Sequence, residues 1–320
     1  MRKVHAYMLG GALVASSALL TQGCTKDTDS DDDLIGNWTT SVDFRGNGRS
    51  EAATFTIGDY VYLSAGTTDR DRFKDLFRFS IADGYWTQRA DLPGAARSSA
   101  VAFAIGNKGY LGTGYDGVAR LNDFWEYDPA LNQWTQKANF AGTARRDAVA
   151  FSIGSKGYIS CGYDGNYLND LWEYDPTAAA GQQWSEKPSM GRKRAEAQAF
   201  VINGKAYIVS GDNNGEILQD LWMYDPSTAQ WTEKRKIYNY NSDEEYDDDY
   251  SAIGRKNGTV FVMGNYAYLA TGESGGASVS NTWRYDPVTD LWLQKTGFEG
   301  TARTGAVAFS RGDRGVVITG

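Results

Sequence analysis

One pattern of about 48 residues recurs along most of the chain, and it constrains the fold more than any other feature. The last tryptophan of each copy marks the period in steps of 48, 48, 50, 47 and 61 residues: Trp38, Trp86, Trp134, Trp184, Trp231 and Trp292. A glycine after the second apolar run gives an independent count of 48, 48, 49, 61 and 48: Gly66, Gly114, Gly162, Gly211, Gly272 and Gly320. Both markers place one insertion of about 13 residues between the fourth and fifth copies, so the chain is a repeat array.

Each copy contains four short apolar runs. In residues 147–194 these runs are AVAFSI, GYISCG, LWEYDP and QWSEK, and Gly, Asn, Asp and Pro separate them. Such runs, rich in Val, Ile, Phe, Tyr and Trp, are typical of strands joined by turns. No stretch after Gly23 has convincing helical periodicity. The sequence therefore predicts an all-β fold, and four strands repeated at this period predict the blades of a β-propeller.

The repeat resembles the kelch family. The residues that carry the resemblance are the glycine after the second strand, the spaced Trp of the fourth, and an aromatic followed by YDP in the third, at Trp125–Pro129, Trp172–Pro176, Trp222–Pro226 and Trp283–Pro287. The resemblance covers roughly residues 34–320 and implies a six-bladed propeller of antiparallel four-stranded blades. Most copies have TG, CG or SG where the family has a double glycine, and we expect this difference to leave the architecture unchanged.

The register assigns blade units near 51–97, 98–145, 146–194, 195–256 and 257–303, with a partial unit at 304–320 and a half unit at 34–49. We expect the strand around Trp38 to complete the last blade and close the ring, which removes two exposed sheet edges. The last unit ends at Gly320 before its third strand. A complete unit needs about 20 further residues, so we expect a C-terminally truncated blade.

Residues 1–23 are predicted to be a targeting segment. Arg2 and Lys3 precede an apolar run, Ala6 to Leu20, that is too short for a spanning helix. LLTQGC then resembles a bacterial lipoprotein processing site with Cys24 as the lipidated residue, whereas the alternative is ordinary signal cleavage with Cys24 incidental. The chain is then exported and anchored at the outer membrane by lipid only.

Residues 24–33 follow as an acidic linker without apolar side chains after Cys24. An acidic run at this place resembles the surface-export signal of Bacteroidetes lipoproteins, which implies that the protein faces the cell exterior. A plain spacer is the alternative.

Composition excludes several function classes. The net charge of -8 and pI near 4.9 argue against binding of nucleic acid. The only histidine is His5, inside the predicted signal peptide, so the mature chain lacks the commonest metal ligand and general base. This argues against copper oxidases built on kelch propellers, and we expect no metal and no cofactor. Cys161 stands where neighbouring copies have Thr113 and Ser210, which predicts a buried, inert thiol.

One charged position repeats in every copy. Arginines in the connections between blades recur in steps of 48, 48, 49, 61 and 48 residues: Arg49, Arg97, Arg145, Arg194, Arg255 and Arg303. Six-fold geometry predicts a ring near one channel mouth. In kelch propellers that bind acidic peptides, arginines at this position line the ligand pocket, so the resemblance implies ligand contact. The alternative is that each arginine ties its blade to the next through backbone carbonyls or an aspartate.

The loops between second and third strands vary between copies, unlike the strands, and variable loops on a regular scaffold favour recognition. Their candidate ligand-binding residues are Tyr115, Asp116, Tyr163, Asp164, Asp212 and Asn214, together with Asn213 and Glu273. Asp, Asn and Gly are also ordinary turn formers. The aromatic strand positions, such as Trp125, Tyr127 and Trp134, are instead predicted to face the neighbouring blade.

The insertion, residues 237–252, contains six acidic residues and four tyrosines in IYNYNSDEEYDDDYSA. It lacks the D-x-D-x-D-G spacing of a calcium loop, so a mobile acidic flap is the favoured interpretation and a calcium site the alternative.

These features favour binding over catalysis. The leading hypothesis is a receptor or adaptor for a glycan or a protein partner, bound on the face with the arginines and the variable loops. The alternative is an enzyme acting on sugars, as kelch epimerases do, with carboxylates at the channel mouth as acid and base, for which a carboxyl pair of raised pKa is the expected sign. A structural spacer is a third hypothesis.

Overall fold

The computed structural model describes residues 7–10 and 37–320. Most of the predicted signal peptide, Cys24, the acidic linker and the start of the predicted propeller at Leu34 lie outside the described residues. Two strands precede the first blade, β1 (Tyr7–Gly10) and β2 (Asn37–Thr40).

Blades 1 to 3 each consist of four antiparallel strands in chain order from the channel outwards. Blade 1 comprises β3 (Ala53–Ile57), β4 (Tyr60–Ser64), β5 (Leu76–Ser80) and β6 (Tyr85–Arg89). Blade 2 comprises β7 (Val101–Ile105), β8 (Lys108–Gly112), β9 (Phe124–Asp128) and β10 (Gln133–Gln136). Blade 3 comprises β11 (Val149–Ile153), β12 (Lys156–Ser160), β13 (Leu171–Tyr174) and β14 (Trp184–Lys187).

Blades 4 and 5 add a two-stranded ribbon in the loop between their second and third strands. Blade 4 comprises β15 (Gln198–Ile202), β16 (Lys205–Val209), β19 (Leu221–Asp225) and β20 (Gln230–Glu233), with the ribbon β17 (Asp212–Asn213) and β18 (Glu216–Ile217). Blade 5 comprises β21 (Thr259–Met263), β22 (Tyr266–Ala270), β25 (Thr282–Asp286) and β26 (Leu291–Lys295), with the ribbon β23 (Glu273–Ser274) and β24 (Ala277–Ser278). A 3-10 turn, Glu245–Asp247, is the only helical element among the described residues.

The prediction of six blades, the last of them incomplete, requires a correction. Five blades are formed from consecutive strands, and the remaining four-stranded sheet is a composite of both ends of the chain, in the order β27 (Val307–Arg311), β28 (Arg314–Ile318), β1 and β2. As predicted, the strand that contains Trp38 is the outer strand of this sheet. Its third position is not vacant, however, because β1, from the predicted signal peptide, pairs with both β28 and β2. In the chain that retains residues 7–10, the edges of β28 and β2 that face each other are thereby paired through β1.

Aromatic side chains between neighbouring blades form the core. Phe55 and Tyr62 of blade 1 stack with ring centroids 5.0 Å apart, and Tyr127 of blade 2 lies 5.5 Å from Tyr62. Trp134 packs on the same cluster and donates from Nε1 to the Ala90 carbonyl of blade 1 at 2.8 Å. The prediction that these repeating aromatics face the neighbouring blade is confirmed.

Close packing explains two glycines on second strands. A Cβ at Gly109 would lie 2.1 Å from the ring of Phe55, and one at Gly157 would lie 2.1 Å from the ring of Phe103. Each phenylalanine belongs to the preceding blade, so these glycines set the distance between neighbouring sheets.

The departure from a double glycine leaves the fold intact, as expected. Gly114 closes the second strand of blade 2 with φ 99°, and a Cβ there would meet the Ser98 carbonyl oxygen at 2.7 Å. Thr113, which replaces the first glycine, adopts the left-handed conformation with φ 60°. Cys161, at the equivalent place in blade 3, is fully buried and free, and burial raises the pKa of its thiol to about 11. The predicted inert thiol is thus consistent with its environment.

Candidate functional site between blades 3 and 4

The repeating arginines point into the protein. Arg97 is fully buried, and it donates from Nη1 and Nη2 to the two carboxylate oxygens of Asp123 at 2.5 and 2.6 Å. Its remaining donors reach the carbonyls of Thr113 and Ala95, both at 3.0 Å. Burial alone opposes ionisation of Asp123, but the hydrogen bonds and the charge of Arg97 hold the pKa of that carboxyl below its usual value.

Three further arginines make the same two-oxygen contact with an aspartate at the same repeat position: Arg49 with Asp75, Arg145 with Asp170, and Arg194 with Asp220. All three guanidinium groups are buried. The sequence left two roles open for these arginines, ligand contact and a structural tie between chain segments. Because these buried guanidinium groups are directed at an aspartate and not at the surface, the geometry is that of a structural tie.

The last two arginines differ from this pattern. Arg255 is fully buried but faces Asn281, whose Oδ1 accepts from its Nη2 at 2.7 Å, so the charge has no carboxylate partner at this position. Burial lowers the pKa of Arg255 to about 9. Arg303 is half-buried and donates to the carbonyls of Thr301 and Thr319 at 3.0 and 2.7 Å.

A closed ring of backbone hydrogen bonds surrounds the channel mouth, two residues after each arginine. Each N–H donates to the carbonyl of the preceding blade's residue, at distances between 2.8 and 3.3 Å: Glu51 to Gly305, Ser99 to Glu51, Asp147 to Ser99, Glu196 to Asp147, Asn257 to Glu196, and Gly305 to Asn257. All six residues have positive φ between 48° and 67°. The ring passes from blade 5 through Gly305 to blade 1, so it closes across the composite sheet.

Carboxylates at this mouth have unequal environments. The Asp147 side chain is only 9% exposed, and its Oδ2 lies 3.4 Å from Nε of Arg146. Burial raises the pKa of Asp147 to about 6, with Glu196 and Glu51 adding to the rise while Ser99 and Arg146 oppose it. Glu196 lies 3.6 Å from Nζ of Lys256. Asp147 thus supplies one buried carboxyl of raised pKa, whereas the enzyme hypothesis expects an exposed carboxyl pair.

A cleft of about 480 Å³ opens beside Asp147, between the loops of blades 3 and 4. It combines two aromatic rings, three amides, two cations and two carboxylates: Tyr163, Tyr167, Asn166, Asn213, Asn214, Arg146, Lys193, Asp147 and Glu196. The rings of Tyr163 and Tyr167 lie 5.3 Å apart, nearly edge to face. Aromatic faces beside convergent polar groups are typical of small-ligand sites.

Only part of the predicted loop set meets in this cleft. Tyr163, Asn213 and Asn214 line it. Asp212 is buried next to it and accepts from Tyr167 Oη at 2.5 Å, whereas its Oδ1 has no hydrogen-bond partner. Tyr115 lies on the neighbouring loop of blade 2, within 5.6 Å of Arg146.

Two predicted residues stabilise their own loops. Asp116 accepts from the backbone N–H of Val118 and Ala119 at 2.8 and 2.7 Å, and these bonds lower the pKa of its carboxyl. Asp164 accepts from the N–H of Asn166 at 2.9 Å. These contacts are typical of Asx turns. Asp116 and Asp164 therefore act as turn formers, the alternative to ligand binding that the sequence left open.

Several lining residues were missed from the sequence. Arg146, Asp147 and Glu196 directly follow the repeating arginines, at one and two positions further along the chain. The signal that could have found them is the variability of the residue that follows each arginine. The position after each arginine reads Ser50, Ser98, Arg146, Ala195, Lys256 and Thr304 in successive copies, although the arginine itself is invariant. Lys193, Asn166 and Tyr167 carry no repeat signal.

The ends of the acidic insertion pack against the core, whereas five of its six acidic side chains are exposed. Tyr250 is buried and accepts from the backbone N–H of Trp292 at 2.6 Å. Asp247 is fully buried and accepts from the N–H of Tyr240 at 2.9 Å, which closes the loop on itself. The apolar residues Ile237, Tyr250 and Ile253 belong to the core cluster of blades 4 and 5 and hold the loop against blade 5.

No group of three or more His, Cys, Asp or Glu side chains within residues 37–320 is arranged to hold a metal ion. In the same part of the chain, no helix has the length and apolarity needed to cross a bilayer.

Comparisons with known proteins address the family and the fold. The model of the KLHDC2/KLHL20/DRC7 Kelch-repeats domain matches residues 5–194, and that of the Kelch motif matches residues 193–236. No curated protein matches the chain. The solved structure titled "Structure of YjhT" is similar with a TM-score of 0.69 and 15% identity, over 86% of this chain and 94% of that chain. At this identity the likeness concerns the fold alone.

Proposed function

We propose that this chain, which belongs to the Kelch-repeat family, is a binding protein whose cleft between blades 3 and 4 binds a glycan. Kelch propellers serve many functions, so the argument rests on the cleft and not on the fold.

The single observation that carries the proposal is the combination of groups in the cleft. Tyr163 and Tyr167 offer aromatic surface, against which the C–H face of a sugar ring packs. The amides of Asn166, Asn213 and Asn214 both donate and accept hydrogen bonds, as sugar hydroxyls do. A cleft of about 480 Å³ has room for a short oligosaccharide segment, since ligand sites commonly occupy about 300–1,000 Å³.

The test is a glycan-array screen of the full chain and two matched tyrosine variants. Tyr163→Ala removes an aromatic face from the cleft, whereas Tyr85→Ala removes an exposed tyrosine from β6 of blade 1. We expect saturable binding of a defined sugar class by the wild type and the Tyr85 variant, and its loss in a folded Tyr163 variant. A folded wild type that binds no glycan would overturn the proposal and favour a protein partner, to be sought by cross-linking on intact cells.

A second candidate function is acid–base catalysis on a sugar in the same cleft. It is favoured by Asp147, whose carboxyl has a pKa of about 6 and lines both the cleft and the channel mouth. Groups with a pKa near the working pH are effective proton donors and acceptors. The test is NMR of reducing sugars with wild-type protein and Asp147→Asn. Accelerated conversion that the variant loses supports catalysis, and unchanged spectra with both proteins count against it.

We further propose that the protein is exported and lipid-anchored at Cys24, with the propeller presented beyond the acidic linker of residues 24–33. Processing before Cys24 removes residues 1–23, so on this proposal β1 pairs with β28 and β2 only in the unprocessed chain. The support is the sequence LLTQGC after an apolar run, at the place expected of a lipoprotein signal. Metabolic labelling with a radioactive fatty acid tests the anchor. We expect label in the wild type and none in Cys24→Ser, and equal labelling of both would contradict it.

A further inference from the structure

Cations and tyrosines alternate along the same face of blades 1 to 3. The Arg72 guanidinium carbon lies 5.0 Å from the centre of the Tyr115 ring, and that of Arg120 lies 5.0 Å from the Tyr163 ring. Arg146 lies between the two tyrosines, 5.6 Å from Tyr115 and 5.7 Å from Tyr163. We call these five residues the Arg–Tyr arc. Tyr163 and Arg146 also line the cleft, so the arc leads into it.

Two arginines of the arc have unused hydrogen-bonding capacity. Among residues 37–320, neither Arg72 nor Arg120 makes an ion pair within 4.0 Å, and the buried Nε of each has no hydrogen-bond partner. Asp116 is close enough to Arg72 for that charge to lower the pKa of its carboxyl, but its Oδ1 accepts from its own loop. A guanidinium held over an aromatic ring keeps its donor edge free for an anion.

The lining of the cleft has two cations, Arg146 and Lys193, and two carboxylates, Asp147 and Glu196. Its two carboxylates already have cations beside them, Asp147 facing Arg146 at 3.4 Å and Glu196 facing Lys256 at 3.6 Å. Lys193 lines the cleft, is exposed, and forms no ion pair in the described part of the chain. Arg72, Arg120 and Lys193 are thus cations of the arc and cleft without an ion-pair partner in the described part of the chain. At physiological salt each charge is screened beyond roughly 8 Å, so it acts on groups bound close to it.

We infer that the ligand of this face is an acidic glycan, a chain of carboxylated sugars that enters the cleft and continues along the Arg–Tyr arc. The inference rests on the proposed glycan binding and names its chemical class. Guanidinium groups recognise carboxylates through paired hydrogen bonds, and the tyrosines between them supply surfaces for the sugar rings. The arc crosses the loops of three blades, so an extended chain uses more of it than a single sugar does.

The experiment compares carboxylated polysaccharides with a matched neutral polymer by calorimetric titration of the full chain. Polygalacturonate, alginate and hyaluronate are the acidic probes, and fully methyl-esterified polygalacturonate has the same backbone without the charge. We expect at least one acidic polymer to bind about tenfold more tightly than the ester. Raising the salt concentration from about 50 to about 200 mM should weaken that binding. Cations of the protein neutralise carboxylates of the polymer when it binds, and added salt screens this attraction.

Charge variants locate the binding. Arg120→Gln and Lys193→Gln should each weaken binding of the acidic polymer several-fold, and the double variant more. Lys205→Gln removes a cation from the β15–β16 hairpin, at the opposite end of the channel, and should leave binding unchanged. Circular dichroism confirms that each variant is folded.

Each other outcome overturns a defined part of the argument. Equal binding of acid and ester forms that Tyr163→Ala abolishes would leave glycan binding standing and remove the acidic class. Polyglutamate bound as tightly as the best polysaccharide would replace the glycan with an acidic peptide. If none of the acidic polymers binds, the inference is wrong, and if the glycan array is also blank, the proposed function falls with it.

Discussion

The guanidinium of Arg97 and the carboxylate of Asp123 share two hydrogen bonds of 2.5 and 2.6 Å, and this pair ties the blade 1 to blade 2 connection to the third strand of blade 2. The Nε1 of Trp125 donates to the same carboxylate at 2.7 Å. Equivalent pairs lie at three other junctions. Most of the six repeating arginines therefore serve as structural ties.

Removal of one partner of such a pair should therefore destabilise the protein strongly. Asp123→Ala leaves the fully buried Arg97 charge without its carboxylate, and we expect a loss of about 3–5 kcal/mol in the free energy of unfolding. Urea denaturation followed by tryptophan fluorescence measures it. Asp91→Ala, which removes an exposed carboxylate from the same connection, should change stability by less than about 0.5 kcal/mol. Similar losses in both variants would contradict the tie.

At the junction of Arg255 the acceptor is the neutral Asn281 instead of an aspartate, so here a carboxylate can be added instead of removed. Asn281→Asp would give the buried Arg255 the carboxylate that other junctions have, and a charged acceptor is worth about 1 kcal/mol more than a neutral one. We expect a higher urea midpoint and an unchanged m-value. Asn122→Asp, one residue before Asp123 in blade 2, controls for added charge. A lower midpoint for the Asn281 variant would mean that desolvation of the new carboxylate outweighs its pairing.

Asp147 should make stability depend on pH. Its folded-state pKa of about 6 lies above the usual 3.8, so the folded protein retains a proton that the unfolded chain releases as pH rises between these values. Stability associated with this group is thus present at low pH and lost as pH rises toward 6. Asp147→Asn removes the ionisation, and it should be more stable than wild type at pH 7.5 by up to about 3 kcal/mol.

The difference between Asp147→Asn and wild type should shrink as pH falls toward 4, which unfolding curves across this range would reveal. Asp116→Asn is the control, because its carboxyl accepts turn hydrogen bonds that an asparagine can also accept. A pH-independent difference for Asp147→Asn would show that packing, and not ionisation, separates it from wild type.

The spacing of neighbouring blades depends on glycine at three second strands, at Gly109, Gly157 and Gly315. Gly157→Ala places a Cβ 2.1 Å from the Phe103 ring, and the shift needed to relieve this overlap should cost about 1–3 kcal/mol. Blade 4 has Ala206 at the equivalent position, so Ala206→Gly is the reverse variant and should be destabilised by loss of packing. Thermal unfolding compares the two. A fully stable Gly157 variant would mean that the Phe103 ring moves aside freely.

The sequence by itself determined the repeat, the strand order within a blade, the burial of the aromatic positions and the placement of β2 as an outer strand. These features follow from local chemistry at a fixed period, such as turn residues between alternating apolar runs, and a period can be read without coordinates. It also showed that an arginine stands at each junction. It left open whether those arginines tie the blades together or contact a ligand, since the contacts that decide this come from residues about 26 positions away.

Tertiary structure alone decided the rest. The pairing of β1 beside β28 joins segments about 300 residues apart, and no local pattern encodes such a contact. The cleft likewise depends on which variable positions of blades 3 and 4 meet across a junction, so Lys193, Asn166 and Tyr167 gave no signal in the repeat. The raised pKa of Asp147 arises from burial and from neighbours on other blades. A repeat fixes where its equivalent residues lie, but the environment of each variable residue exists only after the ring has closed.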